Sequence, residues 1–116
     1  MIYVIDDDEI MCECIAKSCK TEVRKFNNAI EAMAKISAGE MPSLIFLDVM
    51  LNGPNGFTFL NELVSYTDTA KIPIVVVSSL NFTKQDLSEY GVVGVLDKAT
   101  MTPQEISTYA REYCTK

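Results

Sequence analysis

Five short apolar runs punctuate the chain: Ile2-Tyr3-Val4-Ile5, Glu22 to Phe26, Leu44-Ile45-Phe46-Leu47, Ile74 to Val77 and Val92 to Leu96. All but the second are nearly continuous in apolar residues. Strands buried on both faces read this way, as in a parallel sheet covered by helices. Amphipathic segments fill the gaps. The first, over residues 9 to 20, brings Met11, Cys14, Ile15 and Ser18 to one face at helical spacing, which puts Cys14 in the core. Asn28 with Glu31 opens a second helix, and Thr83 with Asp86 opens a fourth in the same manner. The third runs from Asn55 to Tyr66 with Phe57, Leu60, Leu63 and Val64 on one face. Thr102-Pro103-Gln104-Glu105 combines a capping threonine, an N1 proline and an N3 glutamate, so the fifth helix begins there. Gly39 and Gly91 fall where helices stop.

Strict alternation of five strands and five helices predicts one α/β domain over residues 1–116, a doubly wound parallel sheet in the order 2-1-3-4-5. In that order the winding reverses between strands 1 and 3, and ligands bind in the crevice at the carboxyl ends beside the reversal. Asp6 and Asp7 follow strand 1, Asp48 follows strand 3, Ser78 follows strand 4 and Lys98 follows strand 5. Polar residues from four strands therefore converge on one rim.

Composition narrows the chemistry. The chain has 116 residues, enough for one core, and 16 acidic against 10 basic residues give a formal charge of −6. Such a balance argues against a nucleic-acid-binding surface, which needs a basic patch. No apolar run approaches the roughly 20 residues of a membrane span, and no basic leader precedes an apolar stretch, so a soluble, unprocessed protein is expected. Histidine is absent, which removes Ser/His and Cys/His nucleophiles, histidine metal ligands and any role as a phosphohistidine donor. Cys12, Cys14, Cys19 and Cys114 form no C-x-x-C pair and predict reduced thiols in the cytoplasm.

Acidity is concentrated in Asp6, Asp7, Asp8 and Glu9, with no basic residue before Lys17. A solvated helix N-terminus explains such a run, and Asp8 and Glu9 are expected only to open the first helix. It does not explain Asp48, Ser78 and Lys98 at the same rim. Three carboxylates beside buried strand ends repel one another unless a cation shares the site. Oxygen-only ligation points to Mg²⁺, with Mn²⁺ as the alternative, and no loop offers the ligand spacing of Ca²⁺. A carboxylate beside such an ion, an ammonium and a hydroxyl suits phosphoryl transfer with an aspartyl phosphate as product.

The chain resembles the response-regulator receiver family, the CheY-like domains of two-component and phosphorelay signalling, over essentially its whole length. The resemblance rests on Val4-Ile5-Asp6-Asp7-Asp8, Leu47-Asp48-Val49-Met50-Leu51 with Gly56-Phe57, Pro73-Ile74-Val75-Val76-Val77-Ser78-Ser79, and Asp97-Lys98, in that order and spacing. It implies Asp48 as phosphoryl acceptor, and Asp6, Asp7, Asp48 and the Met50 backbone carbonyl as metal ligands. Ser78 and Lys98 become the hydroxyl and ammonium that follow the phosphoryl group, and small Ser79 stands where the donor approaches. A histidine kinase or histidine phosphotransfer protein is the implied donor. The implied output is a protein contact through the fourth helix, fifth strand and fifth helix, with no nucleic acid or membrane inserted into the scheme. In this reading the chain is a regulatory phosphoacceptor rather than an enzyme on other substrates.

Departures from the family pattern sit near the output side. Ala99 replaces the usual proline after the lysine, and a cis bond before a non-proline residue costs about 2.5–4 kcal/mol, so a trans, differently placed loop is expected. Val95 stands where many receivers carry a switch aromatic, the stretch available to the fourth helix is short, and Asn52-Gly53 stands where proline often follows the acceptor loop. Tyr90, Tyr109 and Tyr113 either offer aromatic contacts to a partner or pack half-buried. Met1 directly before the first strand reads as a natural start, with output through other proteins. Two other readings compete. Asp6-Asp7-Asp8 also fits the D-x-D motif of haloacid-dehalogenase-like phosphohydrolases, with Asp6 as nucleophile, and Val95 with Ala99 would suit an interaction module that works without phosphorylation.

Overall fold

In the computed structural model, which describes residues 1–48, 56–78 and 90–114, the five apolar runs become strands. They are β1 (Ile2–Ile5), β2 (Val23–Phe26), β3 (Leu44–Leu47), β4 (Ile74–Ser78) and β5 (Val92–Asp97). All pair in parallel, in the order β2-β1-β3-β4-β5. The described helices are α1 (Glu9–Cys19), α2 (Ala29–Ser37), α3 (Gly56–Val64) and α4 (Pro103–Cys114), with a 3₁₀ turn at Thr69–Lys71. The helix expected from Thr83 and Asp86 lies outside the described residues, so four α-helices are described where five were expected.

Helix boundaries follow the capping chemistry. Asp8 caps α1 by accepting from the amides of Ile10 and Met11, and Asn28 caps α2 by accepting from Glu31. At α4 the box is reciprocal: the Glu105 amide donates to the Thr102 hydroxyl at 3.2 Å and the Thr102 amide donates to the Glu105 carboxylate at 2.9 Å. Gly39, just past α2, and Gly91, before β5, both take positive φ, which a side chain would resist.

The central strands divide their residues between two cores. Tyr3, Ile5, Ile45, Leu47, Ile74 and Val76 meet α2 and α3, while Ile2, Val4, Leu44, Phe46, Val75 and Val77 meet α1 and α4. Each fully buried aliphatic side chain contributes about 1.5–3 kcal/mol, and doubly covered strands therefore hold most of the stability. Among the described residues no helix is long and apolar enough to cross a membrane.

The face of α1 departs from expectation. Cys14 is exposed, and Cys12, Ile15 and Cys19 form the buried stripe. Ile15 belongs to both candidate stripes, but the inner face is rotated by one position, toward Ile106 and Ala110 of α4. Tyr109 and Tyr113 pack half-buried against this same core, and Tyr90 against the other.

Between β4 and β5 the register shifts at Ile74/Val75, so Val75 pairs with Gly94 rather than Val93. Tyr109 lies over Gly94: an added Cβ would sit 2.8 Å from the tyrosine Cε1 and overlap its phenol oxygen. Gly94→Ala is expected to cost about 1–3 kcal/mol in urea unfolding. In a Tyr109→Ala background the same substitution should cost almost nothing, because the ring it strikes is gone.

Candidate functional site

β1 and β3 are neighbours with Ile5 opposite Leu47, so Asp6 and Asp48 leave the sheet side by side. Their backbones are fixed by the ladder: the Asp48 amide donates to the Ile5 carbonyl at 2.9 Å and the Asp6 amide to the Phe26 carbonyl at 3.0 Å. Both side chains are buried, Asp6 at 1% and Asp48 at 4% exposure, whereas Asp7 is exposed at the start of the following turn. One carboxylate oxygen from each of Asp6, Asp7 and Asp48 lies within 4.8 Å of the other two.

Lys98 reaches this group from the end of β5. Its ammonium donates to Asp48 Oδ2 at 3.0 Å and stands 3.2 Å from Asp6 Oδ2. The Lys98 amide donates to the Ser78 carbonyl at 3.1 Å, tying the tips of β4 and β5 together. Ser78 is fully buried at the end of β4, one residue past the level of Asp48 in the β3–β4 register. The turn after Lys98 is closed by Asp97, whose carboxylate accepts from the Ala99 amide and whose carbonyl accepts from Thr100 and Met101. Among the described residues no peptide is cis, so the bond before Ala99 is trans.

Charge is poorly balanced here. Burial raises the Asp6 carboxyl above its ordinary value, and the Asp48 charge adds to the effect. The Asp8 amide at 2.9 Å and Lys98 oppose it without cancelling it. For Lys98, burial alone would lower the ammonium, but its hydrogen bond to Asp48 and the Asp6 charge outweigh it and the net shift is upward. Three carboxylates against one ammonium leave a formal excess of two negative charges at a corner where two of the carboxylates are buried.

That corner fits a hard divalent cation. Asp6 Oδ2 is buried with an ion-pair contact but no hydrogen bond, an acceptor with capacity left over. The donors are all oxygens. Cys12, the nearby thiol, is turned aside: its Sγ donates to the Asp6 carbonyl at 3.3 Å, and burial pushes it up to about 11, so it stays protonated. Oxygen donors with room for water are what Mg²⁺ and Mn²⁺ take.

A raised Asp6 carboxyl means that the folded chain holds this proton more tightly than the unfolded one. The resulting stabilisation is complete below the unfolded value and is lost as pH rises through the folded one. With chelator present, Asp6→Asn is therefore expected to melt higher than the parent at neutral pH, and the gap should close toward pH 4. Saturating Mg²⁺ should reverse the order by stabilising the parent alone, by about 2.7 kcal/mol at a hundredfold excess over Kd. Thermal melts with EDTA and with Mg²⁺ check both halves.

The structure thus brings together Asp6, Asp7, Asp48 and Lys98, with Ser78 at the adjoining strand end. Met50 and Ser79 lie outside the described residues. Asp8 and Glu9 open α1 as expected, with Asp8 Oδ1 accepting from the cap amides. Sequence reasoning missed two features: Lys98 spanning both buried carboxylates, and Cys12 under Asp6. The first depends on sheet order, while the second was signalled only by the six-residue spacing of Cys12 from Asp6 across the helix start.

The family model described as "Response regulator receiver domain" matches residues 2–111. Over 82 residues the chain is 29% identical to the response regulator PleD of Caulobacter vibrioides, covering 69% of this chain and 18% of that protein. It therefore spans about a fifth of that relative's length. By structure it is similar to the receiver domain of NtrX from Brucella abortus, with a TM-score of 0.81, 23% identity and full coverage of both chains. It is also similar to the Mn(2+)-bound form of response regulator Rcp1, with a TM-score of 0.73, 20% identity, and 96% and 88% of the two chains covered.

Proposed function

The chain belongs to the response regulator receiver domain family, and on that footing we propose that it is a phosphorylation-controlled switch with Asp48 as acceptor. One observation carries the reading. Asp48 is a nearly buried carboxylate at a strand end, held 3.0 Å from an ammonium and grouped with Asp6 and Asp7 within 4.8 Å.

Asp6, Asp7 and Asp48 would hold the divalent ion, with the Met50 carbonyl implied as a further ligand by the family resemblance. Mg²⁺ is the expected ion, and the Mn(2+)-bound form of the structurally similar Rcp1 is in keeping with a divalent ion. When bound, the ion supplies charge neutralisation for phosphoryl oxygens. The chain's own residues do the rest. Asp48 attacks phosphorus with one carboxylate oxygen while the bond to the donor's imidazole nitrogen breaks; the ring keeps the electron pair and, with a proton on its other nitrogen, leaves as neutral histidine, giving an aspartyl phosphate. These 116 residues contain no histidine, so the phosphoryl group comes from a histidine outside them, that of a histidine kinase or histidine phosphotransfer protein.

Lys98 surrenders its hydrogen bond to Asp48 and follows the new phosphoryl oxygens, and Ser78 offers its hydroxyl from β4. Because Lys98 and Ser78 are joined backbone to backbone, movement of one strains the other, which couples acceptor chemistry to β4 and β5. To move a two-state equilibrium from about 1:99 to 99:1 takes about 5.5 kcal/mol, a range that charge-assisted hydrogen bonds from two such groups approach. Output is read by a protein contacting β5 and α4, where Tyr109 and Tyr113 lie half-buried and Val95 replaces a large aromatic.

Incubation with a small phosphodonor such as acetyl phosphate and Mg²⁺ tests the reading. A mass gain of about 80 Da that maps to Asp48 and disappears with EDTA is expected. A gain that maps to Asp6, or steady multiple turnover of phosphate esters, would instead support the phosphohydrolase alternative.

A further inference from the structure

The far ends of α1 and α4 carry a pair of thiols that the acceptor chemistry does not use. Both helices pack on the same face of a parallel sheet, each following or preceding its strands in the same sense. They therefore run side by side in one direction, and their last turns meet at the rim opposite Asp48. The buried stripe of α1 ends at Cys19, and the inner positions of α4, Ile106 and Ala110, continue at the same four-residue spacing to Cys114. Cys19 and Cys114 line one hollow of about 410 Å³ together with Ala110 and Arg111, and none of the four cysteines is joined in a disulfide.

The spacing suits a covalent link. Packed helix axes lie about 8–10 Å apart, and Cα atoms stand about 2.3 Å off each axis, so facing Cα atoms come within about 3.4–5.4 Å. That range overlaps the roughly 4.4–6.8 Å of a disulfide, and small Ala110 permits the closer packing.

We propose that Cys19 and Cys114 form a reversible disulfide when the protein meets hydrogen peroxide, clamping α1 to α4. Cys114 is half-exposed and reacts first. Its thiolate attacks one peroxide oxygen and the O–O bond breaks, leaving a sulfenic acid and hydroxide, which takes a proton to become water. The Cys19 sulfur then attacks the Cys114 sulfur. The S–S bond forms, the S–O bond breaks, and the departing hydroxide takes the Cys19 proton to give a second water. Burial and the neighbouring Cys114 push the Cys19 thiol up to about 12, which keeps it unreactive until the sulfenic acid is beside it. Cys14, exposed on the other side of α1, has no such neighbour on the inner stripe and is not required.

Peroxide treatment of the full chain, followed by denaturing alkylation and peptide mass mapping, tests the link. The expected product is a monomer lighter by about 2 Da with Cys19 joined to Cys114. Its melting temperature should rise by about 10 °C, because the closed loop takes in most of the chain, and the rise should vanish on reduction. Cys14→Ser should behave like the parent, and Cys114→Ser should lose the product. Full alkylation of Cys19 after peroxide overturns the proposal, whether Cys114 is found as a sulfinic acid or either exposed cysteine links two copies.

Discussion

Asp48→Ala is expected to bring phosphoryl incorporation to background, a loss of at least about 10³-fold, because the attacking oxygen itself is removed. The variant should fold normally. Asp48 and Asp6 are both buried and share a single ammonium, so deleting one carboxylate relieves repulsion and leaves Lys98 paired with the other. A urea midpoint equal to or above that of the parent, measured without divalent ion, separates lost chemistry from lost structure. Labelling of Asp48→Ala at the parent's extent would sink Asp48 as acceptor. Asp48→Asn makes a useful companion: it keeps the shape and one acceptor oxygen but is a far weaker nucleophile, so it should be equally unlabelled.

Lys98→Ala should have the largest effect on stability. Its side chain is 22% exposed and it touches two carboxylates that are almost fully buried. Removing one partner of a buried pair strands the other charge, at about 3–5 kcal/mol. Against a total stability of about 5–15 kcal/mol, that brings the metal-free variant close to unfolding at pH 7. The loss should depend on pH with a definite sign. Without the ammonium, the Asp6 carboxyl, already raised, rises further, so stability lost at neutral pH returns as pH falls and the acid is protonated. Mg²⁺ should rescue the same variant at pH 7 by replacing the missing charge. Equilibrium unfolding at pH 5 and pH 7, with EDTA and with Mg²⁺, gives the four values needed. A variant whose stability ignores both pH and Mg²⁺ would show that Lys98 is not the counterion of this corner. Lys98→Met keeps the alkyl stem and should separate lost packing from lost charge.

Strand identity was legible because continuous apolar runs have few alternatives in a short α/β chain, and strand order followed from the handedness of crossovers. Asp6, Asp7, Asp48 and Lys98 were legible for the same reason: their place just past strand ends decides where they meet. What the residue pattern left open lies one step finer. Met11-Ile15-Ser18 and Cys12-Ile15-Cys19 are both plausible stripes on α1, and only the position of α4 selects the second. The fit of Tyr109 over Gly94 depends on a register shift at Ile74/Val75, which no local sequence signal announces. The double pairing of Lys98 likewise requires the length of its stem and the distance between two strands, quantities fixed by packing rather than by spacing along the chain.

Every residue of β1 is inaccessible to solvent, paired on both edges and covered on both faces. The amides of Ile5 and Asp6 can then exchange with deuterium only through openings close in free energy to complete unfolding. Asp6 is thus anchored to the slowest-exchanging part of the molecule. Any rearrangement that follows charge changes at Asp48 must leave these amides protected, and must instead quicken or slow exchange where β4 and β5 end, at the amides of Ser78 and Lys98.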